Sequence, residues 1–166
     1  MKCFLDRDGV INIDYPYVGT IDRFVWCPHV FAILRLLRDK GYQLILITNQ
    51  AGLNRNYYSY RDFLELSFFM LNSLAEHSIE LEINYCRHKP EENCNCRKPQ
   101  PGMLNGYSIS DRDIFIGDKP TDMMAASSRG IRNRFLLSSV PTGPYTEAFA
   151  SHASLLSRLG VLVQSG

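Results

Sequence analysis

The sequence predicts an α/β fold, a doubly wound parallel sheet forming one domain over residues 1–166. Two observations carry this. Short apolar runs of strand length alternate with stretches whose apolar residues recur every three or four positions. The residues that start and stop helices (Ser59 with Asp62, Gly41, Pro120 and Gly130) fall at the edges of those stretches. Strands that alternate with helices in this way pair in parallel, with the helices as crossovers. No internal repeat or linker interrupts the pattern.

Lys2 to Leu5 is expected as the first strand. Val30, Ile33, Leu34 and Leu37 fall at helical spacing, and Gly41 closes that helix. Gln43 to Ile47 reads as a fully buried strand that ends at Thr48. Ser59 and Asp62 form a capping box for a helix that places Phe63, Leu66, Met70, Leu71 and Leu74 on one face. Ile79 to Tyr85 is expected as a third strand and Asp113 to Ile116 as a fourth, ending at Gly117-Asp118. Pro120 suits the first turn of a helix that stops at Gly130. Arg134 to Leu137 reads as a fifth strand and Thr146 to Leu159 as a last helix. In such sheets ligands sit beyond the carboxyl ends of the strands. Asp6, Thr48 and Asp118 each follow an expected strand, so the topology gathers them at one edge.

Composition limits the function classes. A net charge of +1 gives no electrostatic case for nucleic acid or an anionic membrane. The longest apolar run, Leu44 to Ile47, is far short of the roughly 20 residues of a membrane span. A site residue at position 6 leaves no room for a signal peptide. Five cysteines, an odd number with three crowded together, argue against a disulfide scaffold and for a reducing cytoplasm. A monomer is the expected assembly.

Asp6-Arg7-Asp8-Gly9 closes the first strand with two carboxylates two residues apart. An Asp-Gly turn is the ordinary reading of such a segment. The chemical reading is a divalent-cation site in which one carboxylate attacks phosphorus and the other moves a proton. Three further segments favour the second reading. Thr48 offers a hydroxyl and neighbouring N–H groups to a phosphate oxygen, Lys98 a positive charge, and Asp118 a third carboxylate. In this order the stretches FLDRDGVIN, ITNQAGL, RKP and IGDKPTD resemble the four motifs of the haloacid dehalogenase superfamily of aspartate-nucleophile phosphohydrolases.

That resemblance implies a Rossmann-like core and definite roles. Asp6 is the nucleophile, and Asp8 the general acid and then the base, its main-chain carbonyl also binding Mg²⁺. Thr48 and Lys98 hold the phosphoryl oxygens. Asp118 completes the Mg²⁺ site beside several waters. Asp122 supports the site or serves the helix dipole, and the two roles are compatible. No insertion after the first motif or the second strand is long enough for a large cap domain, so the site is expected to be open.

Cys86-Arg87-His88 and Cys94-Asn95-Cys96 bring four soft ligands together, enough to close a tetrahedral zinc site. A disulfide is the alternative, but Cys94 and Cys96 are too close in sequence for an easy bridge. With no ligand position left open, the zinc is expected to be structural. The loop it pins runs straight into Arg97 and Lys98. Cys3 and Cys27 read as core residues.

CRHKPEENCNCRKPQPGM is similar to the zinc loop of the heptose-bisphosphate phosphatases and of the related histidinol-phosphatases. IDYPYVGTIDRF, Thr48 to Gly52 with Arg55, and Pro101 to Leu104 favour the heptose branch. The resemblance makes Asp14, Tyr15, Pro16, Tyr17, Asn49, Gln50 and Ala51 substrate contacts. Arg97 recognises the phosphate that is kept, and Lys119 is a further contact. It implies Mg²⁺ and Zn²⁺ as cofactors and a small sugar phosphate as substrate, with loss of the C7 phosphate of a heptose 1,7-bisphosphate as the reaction. Histidinol phosphate is the alternative substrate. A catalytically silent, zinc-stabilised phosphate-binding module is the alternative of another class, and retention of all five motif residues argues against it. The chain departs from the pattern in the short spacer from His88 to Cys94, in Asn54 and Asn56, and in the short stretch from Met103 to Ile116. The helix before the fourth strand is therefore expected to be clipped. His29, His77 and His152 are read as surface or helix-end groups, with His152 solvated. Met123 and Met124 are read as core filler.

Overall fold

The computed structural model describes residues 1–162, so the last four residues of the expected domain lie outside the described ones. In chain order the elements are β1 (Lys2–Leu5), α1 (Val30–Asp39), β2 (Gln43–Asn49), α2 (Tyr60–Ala75), β3 (Glu82–Cys86), β4 (Ile114–Gly117), α3 (Pro120–Ser128), β5 (Asn133–Leu137), β6 (Glu147–Phe149) and α4 (His152–Leu162). The strands form one sheet in the order β3-β2-β1-β4-β5-β6, and every pairing is parallel. This is the doubly wound order, with the chain reversing direction across the sheet at β1 and β4.

Strand alternation divides the core in two. Cys3, Leu5, Leu44, Leu46, Ile114 and Ile116 point to the face covered by α1, α2 and α4. Phe4, Ile45, Ile47 and Phe115 point to the other, where Met123, Ala125 and Ala126 of α3 pack. That second face is covered thinly. The stretch before β4 carries only a 3₁₀ turn, Gly102–Leu104, whose Met103 and Leu104 are buried. The Tyr107 ring closes the remaining gap edge-on to Phe4, with centroids 5.3 Å apart. The clipped helix is therefore reduced to one turn, and an aromatic ring fills the space.

The helix ends follow local chemistry. The Ser59 hydroxyl accepts from the Asp62 N–H, and the Asp62 carboxylate accepts from the Ser59 N–H. Gly41 and Gly130 take left-handed φ values of 78° and 77° just past α1 and α3. Asn56 also sits at φ 56°, a conformation its side chain tolerates better than most.

Four sequence expectations are corrected. β3 starts at Glu82; Ile79 and Leu81 are buried but precede the strand. The expected helix from Thr146 begins with a sixth strand, β6, paired with β5, and α4 starts only at His152. His152 is half-buried, and its Nε2 lies 2.8 Å from the Val10 carbonyl, which ties α4 to the loop after β1. Met124 is exposed while Met123 is fully buried. Among the described residues no inserted domain stands over the sheet, and no helix is long and apolar enough to cross a membrane.

Candidate active site

β2, β1 and β4 lie side by side at the centre of the sheet, and their carboxyl ends carry the motif residues. Asp6 follows β1, Thr48 is the penultimate residue of β2, and Asp118 follows β4. Lys98 arrives from the loop after β3. It is anchored there by a reciprocal amide pair: its N–H donates to Asn49 Oδ1 and its carbonyl accepts from Asn49 Nδ2, each at 3.0 Å.

Lys98 is 3% exposed. Its ammonium lies 2.9 Å from Asp6, 2.6 Å from Asp122, and donates to the Ile47 carbonyl at 2.7 Å. Burial alone pulls the lysine down, but Asp122 and Asp6 outweigh it and hold Lys98 above its usual range. Asp122 also accepts from the Lys119 N–H at 3.0 Å, so it caps α3 and holds the lysine at once.

Burial pushes Asp6 up to about 6, opposed by Lys98 and reinforced by Asp122 and Asp8. Burial also pushes Asp118 up to about 8, with Asp6 adding to the effect. Asp118 Oδ1 is buried without a hydrogen-bond partner. Carboxylate oxygens of Asp6, Asp118 and Asp122 lie within 4.8 Å of one another. Crowded, under-compensated carboxylates with an orphaned oxygen are the donor set of a hard divalent cation. Gly9 completes this geometry. Its φ is 84°, and a Cβ there would fall 2.3 Å from the Asp118 carboxylate, so the last residue of Asp-Arg-Asp-Gly has to be glycine.

Asp8 is turned into a separate cradle. Arg7 donates to its two oxygens at 2.9 and 3.1 Å, Asn12 to one at 3.0 Å, and Gln50 to the other at 3.0 Å. The Arg7 guanidinium is itself fixed by the Val18 carbonyl. Gln50 reaches the buried Thr48 hydroxyl at 2.8 Å as well.

Two cavities meet here. One, of about 270 Å³, is lined by Asp6, Asp8, Asn49, Arg97, Lys98, Lys119, Thr121 and Asp122. The other, of about 260 Å³, shares Asp8, Asn49, Arg97 and Lys119. It adds Arg7, Asp14, Tyr15, Pro16, Tyr17, Gln50, Ala51, Arg55 and Tyr58 among its walls. All nine expected substrate contacts line this second cavity. Tyr15 and Tyr17 are about half exposed at its mouth, and Tyr17 packs edge-on to Tyr57 at 4.4 Å. Lys119 bonds Asp14 at 2.9 Å and spans the two cavities. Thr48 and Asp118 line neither wall; they stand behind it. Arg7, Asn12, Arg55, Tyr58 and Thr121 are site residues that sequence reasoning did not single out as such. Arg55 alone had a signal, since it stands in the stretch after Thr48.

The four soft ligands also meet. The Sγ atoms of Cys86, Cys94 and Cys96 are 3.1, 3.5 and 3.6 Å apart, and His88 Nδ1 lies 3.4 Å from Cys86 and 3.2 Å from Cys96. A disulfide needs about 2.05 Å, and all five cysteines are free. The group is a Cys/His cluster able to hold a metal. Burial raises the Cys94 thiol, but the Arg97 and Cys96 N–H groups bring it down to about 7. The Arg97 N–H to Cys94 Sγ contact is 3.4 Å, and Arg97 Nη1 donates to the His88 carbonyl at 3.3 Å. The cluster thus sets the backbone and the side chain of Arg97.

The chain is similar to several known proteins. A family model described as polynucleotide kinase 3 phosphatase matches residues 16–126. A D-glycero-beta-D-manno-heptose-1,7-bisphosphate 7-phosphatase of Helicobacter pylori is 43% identical over 145 residues, covering 83% of each chain. A D-glycero-alpha-D-manno-heptose-1,7-bisphosphate 7-phosphatase of Photorhabdus laumondii is 39% identical over 169 residues, covering 94% of this chain and 91% of the other. The crystal structure of the D,D-heptose 1,7-bisphosphate phosphatase of B. bronchiseptica, complexed with magnesium and phosphate, superposes with a TM-score of 0.85. It is 27% identical, and each chain is covered completely.

The parallel sheet and the carboxylates at its central edge define a phosphatase of the haloacid dehalogenase superfamily. Within that class the chain belongs to the heptose-1,7-bisphosphate 7-phosphatase family.

Proposed function

We propose that this protein removes the C7 phosphate of a D-glycero-D-manno-heptose 1,7-bisphosphate, on the route to nucleotide-activated heptose for surface polysaccharide. The observation that carries the reading is the pair of joined cavities. One holds Asp6 beside Lys98, and the other extends to cationic walls at Arg97, Arg55 and Lys119. A substrate with a phosphate at each end fits such a site. A polynucleotide end is disfavoured, because the net charge of +1 gives no electrostatic case for a long polyanion.

In the proposed mechanism Asp6 attacks phosphorus while Asp8 gives its proton to the departing sugar oxygen. Asp8 then takes a proton from the water that cleaves the aspartyl-phosphate. Lys98, on the cavity wall, holds the phosphoryl oxygens; Thr48, to which the resemblance gives the same role, is buried behind that wall with its hydroxyl accepting from Gln50. Asp6, Asp118 and the Asp8 main-chain carbonyl would hold Mg²⁺, whose charge counters that of the phosphoryl group. Asp14, Tyr15, Pro16, Tyr17, Asn49, Gln50, Ala51 and Lys119 shape the sugar side. Gln50 and Asn49 line that wall with their amides largely engaged inside the protein. The protein is read as a single-domain cytoplasmic monomer.

Cys86, His88, Cys94 and Cys96 would hold a structural Zn²⁺. A tetrahedron with Zn–S bonds of about 2.3 Å has edges near 3.8 Å, slightly longer than the observed spacings. Zinc is expected to co-purify at one per chain and to resist mild chelation, as structural sites of about 10–16 kcal/mol do. Cys94→Ser should lose the metal and raise KM through Arg97 while the sheet stays folded. Elemental analysis of reduced protein checks this, and zinc-free protein with oxidised Cys94 and Cys96 would contradict it.

The kept phosphate is assigned to Arg97, whose planar guanidinium suits bidentate binding. Arg97→Ala should lower kcat/KM for the bisphosphate by roughly 10- to 150-fold, the equivalent of about 1.5–3 kcal/mol for one charge-assisted contact. A small monophosphate should lose far less. Equal losses on both, or a wild-type preference for histidinol phosphate, would overturn the heptose assignment and leave the phosphatase class intact.

A further inference from the structure

Gln50 lines the substrate cavity yet is only 3% exposed. Its amide is committed to the protein. Nε2 donates to Asp8 at 3.0 Å and to the Thr48 hydroxyl at 2.8 Å, and Oε1 accepts from the Tyr58 hydroxyl at 2.6 Å. The tyrosine fixes which end of the amide faces Asp8, since a flipped amide would set its oxygen against the carboxylate. Tyr58 is fixed in turn by close packing. A Cβ at Gly19 or at Gly52 would fall 2.0 or 2.2 Å from its ring.

We propose that Gln50, oriented by Tyr58, is a positioning residue for the general acid Asp8 rather than a substrate contact. The inference rests on the phosphatase mechanism above. As the Asp6–phosphorus bond forms and the phosphorus–oxygen bond to the sugar breaks, the Asp8 proton goes to the sugar oxygen. A misplaced Asp8 harms that transfer only where the leaving oxygen needs a proton.

The test compares two esters by kcat/KM, which reports phosphoryl transfer to Asp6 in both. In heptose 1,7-bisphosphate the leaving group is the C7 alkoxide, which needs the acid; in p-nitrophenyl phosphate it is a stable phenolate, which does not. Gln50→Met should lower kcat/KM for the sugar ester by about 10- to 100-fold, a part of the general-acid contribution, and for the aryl ester by about threefold at most. Tyr58→Phe keeps the ring packing and should shift the sugar ester in the same direction by less. The double variant should be no worse than Gln50→Met alone, because both act through one hydrogen-bond chain. Equal losses on the two esters, additive losses in the double variant, or a sugar-ester loss carried by KM with kcat unchanged, as a lost substrate contact gives, would overturn the proposal. Wild-type protein that turns over neither ester would instead remove the phosphatase reading itself. Wild-type activity with variants that do not discriminate removes only this inference.

Discussion

Asp6→Asn is expected to abolish turnover while the protein stays folded. An amide oxygen is a poor nucleophile toward phosphorus, and the proposed Mg²⁺ site loses a charged ligand at the same position. The fold should tolerate the change because ionised Asp6 is already disfavoured by burial, with Asp122 and Asp8 nearby. Removing that charge relieves repulsion among the carboxylates and costs one ion pair with Lys98, which keeps Asp122 at 2.6 Å. Asp8→Asn removes proton transfer instead, worth about 10²- to 10⁴-fold. Turnover by purified Asp6→Asn near the wild-type rate, measured as phosphate release, would remove the covalent mechanism.

Lys98→Met should have the largest effect on stability. The lysine is the cation closest to Asp6 and Asp122, and all three side chains are buried. Truncating one partner of a buried ion pair leaves uncompensated charge and costs about 3–5 kcal/mol. The Ile47 carbonyl also loses its donor. Urea unfolding of metal-free protein measures this as a lower midpoint at unchanged slope. Added Mg²⁺ should recover part of the loss, because it binds the folded site. Lys98→Met with wild-type stability in metal-free buffer would show that the triad is not a buried charge network.

The meeting of the motif residues at one sheet edge was legible because each motif is local. A carboxylate or a hydroxyl directly after a strand must sit at the sheet edge, and a parallel sheet collects those edges. Asp6, Thr48, Lys98 and Asp118 needed no knowledge of long-range packing. The Cys/His cluster was legible for the same reason, since Cys94 and Cys96 lie eight and ten residues after Cys86. What was not legible depends on partners far along the chain. The cradle of Asp8 draws on Gln50, 42 residues away, as well as on the local Asn12, and Tyr58 completes it from the loop before α2. None of these types signals such a role alone. β6 was hidden because Glu147-Ala148-Phe149 is short and two of its residues are good helix formers; only pairing with β5 makes it a strand. His152 carries no sign of its bond to Val10, 142 residues away. Asp122 was legible as a helix-start carboxylate, but its hold on Lys98 comes from tertiary packing.

In the proposed reaction the C7 phosphate leaves and the C1 phosphate stays. Phosphorus NMR of heptose 1,7-bisphosphate incubated with the zinc-loaded protein and Mg²⁺ reads both groups at once. Loss of the C7 monoester signal, with the anomeric phosphate retained and an equal amount of inorganic phosphate formed, is the predicted result. Loss of the anomeric phosphate, or an unchanged spectrum from protein that hydrolyses histidinol phosphate, would contradict it.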